Sequence, residues 1–270
     1  MTTGALLFAF NNEQTDYVAM AAWSAKNIRR HLGIPVAVIT DVPDRPVVAE
    51  SFDRVIAAVP AAGGTRHFSD YDAAVTWFNA SRVDAYQLSP WDQTLLLDAD
   101  YVVASSALQT VLESEEPFLA HRLAVDAVGE NDFAGLNYFG AYHMPMWWAT
   151  VIMFRRSTAA ELTFECMRMI RENWAHYRHL YHTGNTVYRN DHALSIAIGT
   201  VNGHVPTHAE IPWSLVSVLP DHRLTLVGTD HYRVDYVNSE GKPRWVELRN
   251  QDFHAMGKRQ LGDIVAKHQA

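Results

Sequence analysis

The stretch TLLLDADYVV, Thr94 to Val103, sets two carboxylates, Asp98 and Asp100, between two apolar runs. Three leucines ahead of a carboxylate describe a buried strand whose C-terminal end emerges carrying charge, and the β-branched pair Val102 and Val103 returns the chain to an apolar environment. Like charges one residue apart are costly in such surroundings unless a cation, a proton or a hydrogen-bond network offsets them. The plain alternative is a strand end with solvent-exposed aspartates.

Upstream of this strand, ALLFAF (5–10) reads as a first strand, followed by Tyr17, Met20, Ala21, Ser24, Ile28 and Leu32 at helical spacing up to Gly33 and Pro35. Tyr17 is assigned to the core. PVAVIT (35–40) and DRVIAAV (53–59) read as further strands; after the loop PAAGGTRHFSD (60–70), the segment DAAVTWFNASRVDAYQL (72–88) is predicted to be a helix closed by Ser89 and Pro90. Strand and helix alternation over the first hundred residues implies the α/β class, with a mostly parallel sheet covered on both faces. Ligands of such sheets collect at the carboxyl ends of strands, where both Phe10-Asn11-Asn12 and Asp98-Ala99-Asp100 fall, so a shared site is expected.

The second half is less regular. Val125 to Met146, with Gly129, Gly135, Gly140 and Pro145, reads as a long functional loop, and Tyr142, His143, Trp147 and Trp148 near its end suit sugar stacking. WATVIMFRR (148–156) reads as a buried strand leading into a basic helix over 158–182, then a short helix DHALSIAI (191–198). RLTLVG (223–228) and YRVDYV (232–237) alternate like antiparallel strands, and a polar helix follows Gly257.

At 270 residues, 48% apolar and 19% charged, the chain is expected to form a globular protein around one large core. No apolar run approaches the ~20 residues that cross a bilayer, and MTTGALLFAF lacks the pattern of a signal peptide, so a cytoplasmic location is the default expectation. The single cysteine, Cys166, lies in the apolar string FECMRMI and reads as a packed thiol. The net charge of -8 is uneven: residues 1–132 hold 18 acids and 8 bases, residues 133–270 hold 12 acids and 14 bases. Arg155, Arg156, Arg168, Arg171 and Arg178 are interleaved with Trp174, Tyr177 and Tyr181, a mixture that binds phosphates or bases in some proteins and is a solvated helix face in more.

A hard divalent cation is the natural partner of two aspartates at a strand end, because Mg²⁺ and Mn²⁺ prefer carboxylate oxygen and bridge it to diphosphates. Two enzyme classes use that arrangement. Haloacid-dehalogenase-like phosphatases carry the motif on the first strand with a later DD pair; here it closes about the fourth strand and no DD pair exists. The other class transfers sugars from nucleoside diphosphates.

Taken in order, FAFNN (8–12), LLLDADYVV, WATVIMFRRS, NDHALSIAI and HAMGK (254–258) resemble the landmarks of GT-A fold glycosyltransferases of the glycogenin and lipopolysaccharide galactosyltransferase type. The resemblance implies a GT-A architecture with a smaller antiparallel C-terminal part, a nucleotide-sugar-binding half over 1–104 and an acceptor-binding half over 105–270. It further implies Mn²⁺ or Mg²⁺ held by Asp98, Asp100 and His254, with a UDP-sugar as donor and an acceptor that is a glycan, a small molecule or a hydroxymethylated DNA base. Gly257 and Lys258 would approach the diphosphate, and Phe8, Ala9, Phe10, Asn11, Asn12 and Ala99 would line the nucleotide. The family has a basic residue near the position of Arg82, contacting the nucleotide or the carboxylates; on the predicted helix Arg82 shares an otherwise apolar face with Asn79, where a buried guanidinium needs an anion, and a structural pair between Arg82 and an aspartate is the alternative. Asp191 resembles the aspartate of an Asp-Gln pair beside the reacting carbon, with His192 replacing the glutamine. Capping of the following helix by Asp191 or Asn190 is the alternative.

Overall fold

The computed structural model describes residues 1–269 other than 62, 69–70, 132, 185–186 and 206–208, and only the backbone at 66, 68, 134 and 269. Strands β1 (Thr3–Phe8), β2 (Val36–Thr40) and β3 (Arg54–Ala57) alternate with helices α1 (Tyr17–Leu32) and α2 (Pro46–Ser51). The hairpin β4 (Thr65–Phe68) and β5 (Ala73–Thr76), a 3-10 turn over Ala80–Asp84 and the single-turn α3 (Ala85–Leu88) lead to β6 (Gln93–Leu97) and β7 (Tyr101–Val102). Next come α4 (Leu108–Glu113), β8 (Phe118–His121), β9 (Ala124–Asp126), a second hairpin β10 (Tyr138–Phe139) and β11 (Met144–Pro145), and the long β12 (Trp148–Arg155). Helices α5 (Thr158–Glu172), α6 (Trp174–Leu180) and α7 (Asn190–Val201) precede β13 (Leu215–Val218), the antiparallel β14 (Arg223–Gly228), β15 (His231–Val237) and β16 (Pro243–Arg249), then β17 (Phe253–Ala255) and α8 (Lys258–Gln269).

The central sheet has the order β3-β2-β1-β6-β12-β8. Its first four strands are parallel, and β12 runs antiparallel to β6 and β8. Every residue of β2 and β6, and all but the first of β1, is buried, as a sheet covered on both faces requires. This is the expected α/β class. Helix α1 starts where Asp16 accepts a hydrogen bond from the Ala19 amide, and stops where Gly33, at φ 66°, turns left-handed and donates to Arg29. Gly4 sits under the indole of Trp91, where a Cβ would lie 2.4 Å from a ring carbon, so no larger residue fits this point of β1.

The segment 72–88 departs from its predicted helix. Val75, Thr76, Trp77 and Phe78 are β-branched or aromatic, and Ala73–Thr76 pairs with Thr65–Phe68 across a turn that holds Asp72 at φ 47°; the expected loop 60–70 thus contains a strand as well. The predicted basic helix breaks at Asn173, and the predicted long loop 125–146 contains β10 and β11. The expected antiparallel C-terminal part is present and gains β16. Cys166 is buried and free, as expected. No helix among the described residues is long and apolar enough to cross a membrane.

On β8, His121 is fully buried and its Nδ1 bonds the Trp213 carbonyl at 3.0 Å. Burial lowers its pKa to about 4, against the hydrogen bond that works the other way. Between pH 6.5 and 4 the unfolded chain therefore takes up a proton that the folded chain refuses, and stability is lost as the pH falls. Unfolding free energies from urea denaturation at pH 7 and pH 5 are expected to differ by about 2 kcal/mol from this residue, and His121→Asn to shrink the difference.

Candidate active site

Asp98 and Asp100 occupy the turn between β6 and β7, at the point where the chain leaves the central sheet. The Asp98 amide bonds the Thr150 carbonyl on β12 at 3.0 Å, and the Tyr101 amide closes back on the Asp98 carbonyl at 3.0 Å. Strand β7 then enters a second sheet of order β7-β17-β13-β9. Its antiparallel pairing sets His254 opposite Tyr101, and the Ala255 amide donates to the Asp100 carbonyl at 3.0 Å. That pairing brings a histidine 154 residues away in sequence to Asp100, with Nε2 and Oδ2 3.5 Å apart. One donor atom each from Asp98, Asp100 and His254 lies within 4.8 Å of the others.

Different cations neutralise the two carboxylates. Asp98 receives Arg82 Nη1 at 2.8 Å and Asn79 Nδ2 at 3.2 Å. Asp100 receives the Lys258 ammonium together with His254. Burial pushes the Asp98 carboxyl above the ordinary carboxylate range, with Arg82 opposing it and Asp100 adding to it. Burial acts on Asp100 too, yet Lys258 and His254 outweigh it and hold that carboxyl well below the range. Arg82 is only 1% exposed and donates to the carbonyls of Leu97 at 3.1 Å, Ala149 at 2.6 Å and Thr150 at 3.2 Å. It joins the end of β6 to the start of β12 while steadying Asp98.

These groups line a cavity of about 300 Å³, along with Phe8, Phe10, Asn12, Asn79, Ala99 and Asp191. The first and fourth strand ends of the sequence thus share one site. Three predicted residues lie outside the lining. Ala9 is fully buried with its amide on the Ile39 carbonyl, Asn11 accepts from the Val18 amide at 3.0 Å, and Gly257 precedes α8, its carbonyl accepting from Leu261. Tyr17, assigned to the core, is half-buried and lines the cavity from the first residue of α1. Asn12 takes the Gln14 and Thr15 amides on Oδ1 and so shapes the loop after β1.

Sequence reasoning missed His67, Trp77 and Phe78 as lining residues because they belong to the stretch around β4 and β5 where loop and helix were expected. Arg189 and Pro220, which belong to no quoted motif, also line the cavity, as does Met256 from within HAMGK. Of the four aromatics proposed for sugar stacking only Trp148 lines it; Trp147 is buried, and Tyr142 and His143 are exposed. Tyr142 packs edge-on to His182.

Asp191 accepts from the Ala149 amide at 2.9 Å and from Arg189 at 3.0 Å. Burial works against its charge, but Arg189 and the amide prevail and lower its pKa. Arg189 occupies the N-cap position of α7, so neither Asp191 nor Asn190 caps the helix; Asn190 instead donates to the Asn79 carbonyl at 3.0 Å. His192 turns away from the cavity and stacks on Phe139, with ring centroids 4.8 Å apart. Four of the five arginines of the basic stretch are engaged within the protein: Arg155 and Arg156 bind carbonyls, and Arg168 and Arg171 pair with Asp84.

The donor set fits a hard divalent cation. Two carboxylates and one imidazole, their ligand atoms within 4.8 Å of one another, offer oxygen and nitrogen donors from one side and leave positions open for a substrate's oxygens.

No protein-family model and no curated protein matches this chain. Solved structures similar to it include the glycosyltransferase GlyE of Streptococcus pneumoniae TIGR4, at 14% identity and TM-score 0.43 over 78% of this chain and 45% of that one. The apo form of GlyE gives 14% identity and TM-score 0.44 over 77% and 45%. The galactosyltransferase LgtC, in complex with donor and acceptor sugar analogs, gives 14% identity and TM-score 0.45 over 72% of this chain and 70% of that one. The chain thus spans less than half the length of GlyE.

Proposed function

We propose that the protein is a metal-dependent glycosyltransferase that moves a sugar from a nucleoside diphosphate sugar, a UDP-sugar, to a hydroxyl acceptor with retention of configuration. The observation that carries this reading is the convergence of Asp98, Asp100 and His254 with Lys258 in one cavity, beside Phe8, Phe10, Asn12 and Tyr17 at the end of β1. Carboxylates and a histidine would hold Mn²⁺ or Mg²⁺; an adjacent ammonium and an aromatic wall suit a diphosphate and a base.

The bound cation would supply Lewis acidity toward the leaving diphosphate. Arg82 and Asn79 hold Asp98 in place, Lys258 would offset charge developing on the phosphates, and Asp191, which lines the cavity beside Ala149, would support positive charge at the reacting carbon. The donor half would be 1–104 and the acceptor half 105–270, although Trp148, Arg189 and Pro220 lend the second half to the donor cavity too. Engagement of Arg155, Arg156, Arg168 and Arg171 with the protein itself favours a glycan or small-molecule acceptor over modified DNA.

The test is thermal denaturation with UDP and Mn²⁺ alone and together, followed by UDP release from a panel of UDP-sugars. At 100 times Kd the ligand adds about 2.7 kcal/mol, a rise in Tm of roughly 5–10 °C for a domain of this size. The rise is expected only when both are present, with slow UDP release from one donor. Binding without release from any donor would identify a nucleotide-sugar-binding protein without transferase activity. No stabilisation at all would remove the reading.

A further inference from the structure

We infer that Lys258 competes with the divalent cation for Asp100, so that cation and nucleoside diphosphate bind cooperatively because the diphosphate draws the ammonium away. The inference rests on reading Asp98, Asp100 and His254 as the cation's ligands.

Lys258 Nζ contacts Asp100 Oδ2, the same oxygen that faces His254 Nε2 at 3.5 Å, and its other hydrogen bond goes to the Ala255 carbonyl at 3.2 Å. The pair is largely withdrawn from water, with side-chain exposures of 12% for Lys258 and 7% for Asp100. Two cations close to one shielded carboxylate oxygen repel each other strongly, because little solvent screens them. In its observed position the ammonium therefore opposes any ion that takes Asp100 as a ligand. Arg82 does not relieve the conflict, since its ion pair is with Asp98 and its remaining bonds go to backbone carbonyls.

Lys258 is well placed to yield. It is the first residue of α8, separated from the end of β17 by only Met256 and Gly257, and it lines the cavity at the end of a flexible four-carbon stem. A diphosphate in the cavity offers the ammonium new anionic oxygens, and each partner that binds lowers the obstacle to the other. By linkage the gain is reciprocal: UDP tightens cation binding by the factor by which the cation tightens UDP binding.

The test measures Mn²⁺ affinity by calorimetry, without and with saturating UDP, for the full chain and for Lys258→Met, Lys258→Gln, Lys258→Arg and Asp100→Ala. Lys258→Met and Lys258→Gln are expected to bind Mn²⁺ alone about 10-fold more tightly than the wild type, within the usual span of coupling between sites, and to lose most of the gain from UDP. Lys258→Arg, which keeps the charge, is expected to bind Mn²⁺ alone as weakly as the wild type. Equal or weaker Mn²⁺ binding by both neutral variants overturns the competition. Asp100→Ala separates that failure from a wrong metal site: if it binds Mn²⁺ as well as the wild type does, the ligand assignment itself has failed. The arm without UDP stands even if the donor is not a uridine nucleotide.

Discussion

Asp100→Ala is expected to lower metal-dependent release of UDP from its donor sugar by about 10³-fold, the several kcal/mol that a Lewis-acid cation contributes to a leaving group. Asp100 sits deeper than Asp98, with side-chain exposures of 7% and 22%, and it alone touches both His254 and Lys258. Its removal deletes one of the three proposed ligands and leaves Lys258 its bond to the Ala255 carbonyl. The fold is expected to survive, because the backbone carbonyl of Asp100 still receives the Ala255 amide and Tyr101 still pairs with His254. Turnover and Tm should therefore separate, with UDP release lost and the melting transition retained. Asp100→Asn keeps shape and one neutral oxygen, and is expected to fall between the two. Wild-type turnover in Asp100→Ala would sink the metal assignment.

Strands β1, β2 and β6 of the central sheet were legible because parallel strands buried on both faces leave unbroken apolar runs: ALLF, VAVI and LLL need no tertiary information to be recognised, whereas the short β8 at the sheet's edge was not read from the sequence. The two aspartates proposed to hold a cation were legible for a different reason. A carboxylate at the end of such a run conflicts with its surroundings, and the conflict marks a functional position. His254 lacked that signal. It reaches Asp100 because β17 pairs with β7, a long-range pairing between strands of three and two residues that no local pattern announces.

The errors have a common cause as well. Val75, Phe78, Asn79, Arg82 and Tyr86 fit a helical period, yet the chain there folds into a hairpin, a 3-10 turn and a single helical turn. Arg82 and Asn79 nevertheless reach Asp98, since a buried guanidinium requires an anion whatever the backbone around it. The chemistry of the residue outlasted the wrong local structure. His67, Trp77 and Phe78, which carry no charge conflict and no motif, were lost with the helix.

Arg82→Met is expected to be the most destabilising single change at the site. It removes the cation from Asp98 and the donor from the carbonyls of Leu97, Ala149 and Thr150, all at a position 1% exposed. Breaking a buried ion pair from one side costs about 3–5 kcal/mol, a large part of the roughly 5–15 kcal/mol that holds a protein folded. Urea denaturation is expected to show a lower midpoint at an unchanged slope. The carboxyl of Asp98, already pushed up by burial and opposed chiefly by Arg82, then has still more reason to hold its proton, so cation binding should weaken in parallel. Adding Asp98→Asn to Arg82→Met removes the unpaired buried charge and is expected to recover part of the stability without restoring cation binding. A loss below about 1 kcal/mol in Arg82→Met, the size of an exposed ion pair, would show that the guanidinium does not join β6 to β12.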